Sequence, residues 1–160
     1  MASGKKLTPD LLDEQAALLD RTIGLVKSLR EVAYEGMNVL QHEYHCLRMV
    51  RELKAVVPGA ERMDWHWHPA QGFNADEADV VGYLRGKAVV QAEVTTSARP
   101  MGTIAKRMDK KMKSLAKLPG KLKYYGVVSE PMRKLAQTKA APFGITVVLL
   151  ETGPFNTGQD

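Results

Sequence analysis

Glu93 interrupts a run that otherwise has the character of a buried strand, Ala88-Val89-Val90-Gln91-Ala92-Glu93-Val94-Thr95-Thr96. Small and β-branched residues favour a pleated strand, and an acid at its centre is disfavoured by propensity and by partial burial. Alternation puts Val89, Gln91, Glu93 and Thr95 on one face and Ala88, Val90, Ala92 and Val94 on the other. One face is then apolar and the other carries a line of polar groups. The carboxylate needs compensation, for which a cation is the usual answer. Upstream, Asp79-Val80-Val81-Gly82-Tyr83-Leu84 is a second strand, and Arg85-Gly86-Lys87 is short enough for a hairpin loop. A three-residue loop pairs Leu84 with Ala88, and counting back from that pair sets Asp79 opposite Glu93. Directly opposite side chains are ~5 Å apart at Cβ. Two carboxylates there repel each other, or share a hard divalent cation such as Mg²⁺. A two-residue loop would send Glu93 to the other face unless a bulge intervened. The alternative is an exposed acid at position 93 and an aspartate that caps a loop.

The rest of the chain follows the same signals. Thr8-Pro9-Asp10 opens a helix, with Leu11, Leu12, Leu18, Leu19, Ile23, Val26 and Leu29 at helical spacing, ending near Tyr34-Glu35-Gly36. A second helix is expected from Asn38, with Gln41 as its capping-box partner and Leu40, Tyr44, Leu47, Val50 and Val57 as apolar positions, closed by Pro58-Gly59. Residues 62–68 alternate as a strand, 69–78 form a loop, 103–118 a helix stopped by Pro119-Gly120, 122–129 a strand, 131–140 a short helix and 145–151 a last strand. This order predicts one α/β domain over residues 1–160: an N-terminal helix (8–35), a core (36–151) with a mixed sheet of about five strands flanked by helices, and a flexible tail (152–160).

With 160 residues, the chain is long enough for one hydrophobic core. No apolar run approaches the ~18 residues of a membrane span, and the first residues lack the apolar stretch of a signal peptide. A cytoplasmic protein is the expectation. The single Cys46 leaves no disulfide framework and reads as a small buried hydrophobe. The net charge of +5 is modest, but it is unevenly placed: between Arg99 and Lys123 stand nine basic residues and one acid, Asp109. Within 103–118, Ile104, Met108, Met112 and Leu115 form one stripe, and Lys106, Lys110, Lys113 and Lys117 another nearly opposite, widened by Arg107 and Lys111. A cationic face of this kind attracts polyanions and releases their counterions, although a solvated lysine face kept for solubility has the same composition.

The segment from 36 to 128 resembles the PD-(D/E)XK nuclease superfamily. There, an aspartate starts one strand of a hairpin, and the next strand carries an acid, one residue, then lysine. This chain has Glu77-Ala78-Asp79-Val80-Val81, a turn, then Gln91-Ala92-Glu93-Val94-Thr95-Thr96. The resemblance implies a restriction-endonuclease-like core with an extra N-terminal helix. It also implies Mg²⁺ or Mn²⁺ held by Asp79 and Glu93, with Glu43 as the additional helix glutamate. Thr95 stands where the family has lysine, so the positive charge has to come from elsewhere, Lys106 and Lys110 being the candidates, and Gln91 shares the polar face. The implied activity is metal-dependent hydrolysis of DNA, with Lys106, Arg107, Lys110, Lys113 and Lys117 on the nucleic acid. Its rivals are a non-catalytic nucleic-acid- or protein-binding member of the same fold and a structural or regulatory homodimer.

Weaker signals are read as packing. Trp65 and Trp67 share one face of their strand, as core tryptophans, and His66 and His68 the other, without a third ligand at suitable spacing. His42 and His45 are not four apart and read as surface or packing residues. No Gly-rich phosphate loop, Ser-His-Asp order or CxxC pair is present. The leucines of the N-terminal helix predict a homodimer through that element, most simply with two-fold symmetry. Light scattering at high micromolar concentration should report a dimer, and a monomer would reject this interface.

Overall fold

The structure, a computed structural model, describes residues 9–68 and 78–150, with the side chains of the first helix described chiefly from residue 38 onward. Its elements are α1 (Pro9–Val56), β1 (Asp64–Trp67), β2 (Val80–Leu84), β3 (Lys87–Thr95), α2 (Gly102–Lys117), β4 (Leu122–Val127), α3 (Glu130–Ala140) and β5 (Thr146–Leu149). Short 3-10 turns at Ala60–Arg62 and Ala141–Phe143 were not anticipated from the sequence. The strands form one mixed sheet in the order β1-β2-β3-β4-β5. The β1–β2 and β2–β3 pairs are antiparallel, and β3–β4 and β4–β5 are parallel. No described helix is long and apolar enough to cross a membrane.

One expectation is corrected at once. The chain does not break at Gly36; a single helix of 48 residues runs through it. A lone glycine inside a helix costs only about 1 kcal/mol relative to alanine, and no proline or left-handed residue follows it to stop the ladder. The true terminator is Gly59, which follows Pro58 and adopts φ 76°. The chain divides into two units, 1–38 and 39–160, and the second holds the sheet. The leucine-rich stripe of the first helix, the loop at 69–77 and the tail beyond 150 lie outside the residues whose side chains are described.

Two cores flank the sheet. On one face, Val80, Val90, Ala92 and Val94 pack with Cys46, Met49 and Leu53 of α1 and with Val57 just past its end. The buried stripe of this helix is therefore 46-49-53, continued by Val57 just past its end, whereas Leu40 and Leu47 are exposed. Cys46, Met49 and Leu53 fill the surface that meets the sheet, and Leu40 and Leu47 stand off it. On the other face, Val81, Tyr125 and Val127 meet Met108, Met112 and Leu115 of α2 and Met132 and Ala136 of α3.

The hairpin register decides where Glu93 points. The turn has two residues, Arg85 and Gly86, because Leu84 pairs with Lys87. Both have positive φ, 51° and 72°, as the favoured two-residue hairpin turn requires. Such a turn alone would have reversed the parity of β3. A bulge restores it: Tyr83 faces Ala88, but Gly82 faces Val90, so Val89 is the extra residue. Val89 consequently packs with the α1 core, and Ala88 joins the α2 face, the reverse of simple alternation. Beyond the bulge, Val81 faces Gln91 and Val80 faces Ala92, so the register leads Asp79 to Glu93 as expected.

A second tight place fixes α2 against the hairpin. Gly120 has φ 96°, and a Cβ there would stand 2.9 Å from the Val89 carbonyl oxygen and 3.0 Å from that of Ala88. Both the backbone conformation and the close approach exclude a side chain, and the opposing atoms are backbone that cannot turn aside. Gly120→Ala should therefore lower stability by about 2 kcal/mol or more in urea denaturation. A variant as stable as the parent would show that this approach is not constraining.

Candidate functional site

Three elements converge at the C-terminal end of β3. Asp79 immediately precedes β2, and its Oδ2 accepts a hydrogen bond of 2.8 Å from the Val94 backbone N–H, which ties the acid to the neighbouring strand. Glu93 is buried on the α2 side of β3, and its Oε2 takes a short hydrogen bond from the Lys111 ammonium. The same Lys111 Nζ lies 3.5 Å from Asp79 Oδ2. One ammonium thus joins both carboxylates, which must converge on one face. Lys111 reaches them because it stands beside Met108, Met112 and Leu115, the buried stripe of α2, so its stem is packed and its head extends over the sheet.

The proton affinities follow from this arrangement. Burial pushes Glu93 up to about 7, assisted by the negative charge of Asp79 and opposed by Lys111. Burial would also raise Asp79, but the hydrogen bond from His42, the Lys111 charge and the Val94 N–H outweigh it and hold the carboxyl at about 2. Burial works against the Lys111 charge, yet Glu93 and Asp79 more than offset it and hold the ammonium firmly protonated. His42 is raised above its ordinary value, first by its hydrogen bond to Asp79.

The other expected residues have the following places. Thr95 Oγ1 lies 2.8 Å from the hydroxyl of the buried Tyr125, so it is engaged across the β3–β4 pair. Burial pushes the Tyr125 hydroxyl up to about 12, so it stays protonated and can donate. Gln91 Nε2 donates to the Pro119 carbonyl at 3.0 Å, while its buried Oε1 has no hydrogen-bond partner among the described residues. Gln91 also lines an open cleft of about 620 Å³ with Val81, Tyr83, Ala88 and Pro119. Glu43 Oε2 accepts from Trp67 Nε1 at 2.7 Å, and its Oε1 lies 3.9 Å from His42 Nδ1. It borders the site through His42. Trp67 is correspondingly exposed at the edge strand rather than in the core, whereas Trp65 is half-buried and donates to Ala60 O at 3.1 Å.

Lys106 and Lys110, the expected replacements for the missing strand lysine, are exposed on the outer side of α2; the lysine that lies beside the two carboxylates is Lys111. Arg107, Lys113 and Lys117 are exposed as well, so the basic face of the helix is open. Asp109, the one acid of α2, is held by Lys139 of α3 at 2.7 and 2.8 Å and does not dilute that face. Lys123, counted in the basic run, is buried and donates to Leu118 O and Pro119 O at 2.6 and 2.8 Å. It satisfies carbonyls at the C-terminus of α2, where a cation is favoured.

Sequence reasoning missed Lys111 as a site residue, and it missed His42. The signal for Lys111 was its position beside the methionine stripe. For His42, it was the spacing to Cys46, four residues on, rather than to His45. His42 Nε2 lies 3.4 Å from Asp79 Oδ2 and Nδ1 3.7 Å from Cys46 Sγ. Comparison with family models, with curated proteins and with solved structures finds no match to this chain.

The ion pair can be tested without reference to activity. Lys111→Met should destabilise the fold by about 1–3 kcal/mol, less than for a fully buried pair because the ammonium is part-exposed. Adding Glu93→Gln should recover part of that loss, since the uncompensated charge disappears. Denaturation of the two single variants and the double variant checks this; additive losses would mean that the groups do not interact.

Proposed function

We propose that the chain is a metal-dependent nuclease-like domain of the PD-(D/E)XK type, acting on phosphodiester bonds of DNA. The observation that carries this reading is the convergence of Asp79, Glu93 and Lys111 on one face of the β2–β3 hairpin. The family pattern calls for two acids and a lysine, and Lys111 supplies from α2 the ammonium that Thr95 cannot supply from β3. The carboxylates fit a hard divalent ion, because they are already close enough to share one cation. Asp79 and Glu93 would hold Mg²⁺ or Mn²⁺, which supplies a Lewis acid and a water of lowered pKa.

The chain's own groups have distinct tasks. The Lys111 ammonium faces the place where negative charge on a phosphoryl group would grow, and a fixed charge there lowers the barrier. Gln91, with its unengaged Oε1, offers an acceptor for a water on the same face. Thr95 and Tyr125 hold the end of β3 against β4. Lys106, Arg107, Lys110, Lys113 and Lys117 line the open side of α2 and gather phosphates without reading sequence.

The same ammonium favours a second reading. Lys111 neutralises the carboxylates without any ion, which suits a non-catalytic member of this fold that binds nucleic acid or protein through α2.

Cleavage of plasmid DNA in Mg²⁺ distinguishes the two. Glu93→Ala should abolish cleavage and leave DNA binding nearly unchanged. Lys111→Ala should lower the rate by about 10²–10³-fold, as expected for loss of a preorganised charge. Thr95→Lys should bring no gain, because it breaks the bond to Tyr125 and adds a second ammonium beside the first. Lys106→Ala and Lys110→Ala should each lower the slope of log affinity against log salt by about one. Salt-dependent binding without cleavage in the parent protein selects the second reading.

A further inference from the structure

We infer that His42, Cys46 and Asp79 form a site for one divalent ion of intermediate softness, Zn²⁺ first among them. This site shares Asp79 with the carboxylate pair but differs from it in its ligand chemistry, and it does not depend on the nuclease reading. His42 and Cys46 are four residues apart on α1, so they lie one above the other on the same face of the helix. Asp79 meets them from the start of β2. Cys46 Sγ lies 3.7 Å from His42 Nδ1 and 3.9 Å from Nε2, and Nε2 lies 3.4 Å from Asp79 Oδ2. One donor atom from each residue falls within a group no wider than 4.8 Å. Zinc bonds of ~2.0–2.3 Å in a tetrahedron place neighbouring donors ~3.3–3.8 Å apart. The three groups therefore stand close to the spacing an ion would impose, and loading the site requires the His42 ring and the Cys46 side chain to turn so that Nε2 and Sγ face it together.

Charge and surroundings agree. Cys46 is fully buried, and a thiolate plus a carboxylate neutralise a dication, so the loaded site adds no net charge to the interior. The Glu93–Lys111 pair is neutral by itself, although Lys111 Nζ also lies 3.5 Å from Asp79 Oδ2. A carboxylate also stands near the second nitrogen of the imidazole, beyond hydrogen-bond distance but within reach of a small shift. With Nε2 on the ion, Nδ1 faces Glu43 Oε1 at 3.9 Å, and the other oxygen of Glu43 is anchored by Trp67 Nε1 at 2.7 Å. A carboxylate behind a ligand histidine fixes its tautomer and raises its basicity. The softness of the thiolate and imidazole selects zinc or cobalt over magnesium. Three protein ligands leave a fourth position for water.

Co²⁺ reports this site directly, because a cysteine ligand gives a thiolate-to-cobalt charge-transfer band in the near ultraviolet. The 160-residue chain should bind one Co²⁺ with that band, and one equivalent of Zn²⁺ should displace it. Cys46→Ser should lose the band and bind Zn²⁺ at least about 10-fold more weakly, and Glu43→Gln should keep the band with affinity reduced by about 10-fold. Glu93→Gln should keep both band and affinity, which separates this site from the carboxylate pair; loss of the band in that variant overturns the assignment. Zn²⁺ should raise the thermal midpoint of the parent and not of Cys46→Ser. X-ray absorption of the zinc-loaded parent covers the case in which the serine variant fails to fold. One sulfur in the coordination shell supports the site. A shell of nitrogen and oxygen alone, no band with Co²⁺, or unchanged zinc affinity in a folded Cys46→Ser overturns it.

Discussion

A carboxylate placed in the middle of a packed strand must find a positive partner or give up its charge, and the region around Glu93 is organised by that requirement. The partner is Lys111, and its reach depends on helix α2 lying flat on the sheet. Met108, Met112 and Leu115 hold it there, fully buried against Tyr125 and Val127. Gly120 allows the chain leaving α2 to pass against the β3 backbone, and Lys123 closes the carbonyl end of the helix. Each of these contacts lies several residues from the acid, and each sets the position of one ammonium. Asp79 is fixed independently by the Val94 N–H, so the second acid keeps its place whether or not the lysine is present.

Much of this was legible in the residues. The strand-helix order, the five strands and the mixed sheet followed from alternation, turn residues and a helical stripe, because these are local signals that tertiary packing here reinforces. Asp79 and Glu93 were placed together for the right reason, the pairing of adjacent strands, but by the wrong count of the loop. The break expected at Gly36 failed because glycine lowers helix propensity without stopping a helix, whereas Gly59, in the left-handed region after a proline, does stop it.

What stayed hidden were contacts between distant elements. Lys111 looks like any other lysine on a basic helix, and only the rotation of α2 about its axis shows that it turns inward while Lys106 and Lys110 turn outward. His42 and Cys46 are separated from Asp79 by more than thirty positions, and no local pattern brings a helix turn to the first residue of a strand. Lys123 is the opposite case: a residue that composition assigns to a cationic surface is spent on two backbone carbonyls. Summing charge over a segment cannot distinguish lysines that face water from those that satisfy the fold.

The extra residue in β3 has a consequence for how this hairpin can vary. Turn length and bulge act as two switches on one parity, and Glu93 faces α2 only while both are in their present setting. A change in either alone would aim the acid at the apolar core under α1 and present Ala92 or Val94 to Lys111. Simultaneous changes in both would leave the site as it is. Chains that share this site but differ by one residue in the hairpin loop are therefore accessible only by paired steps, and an alignment that places its gap at the turn alone would put the acid one residue out of register.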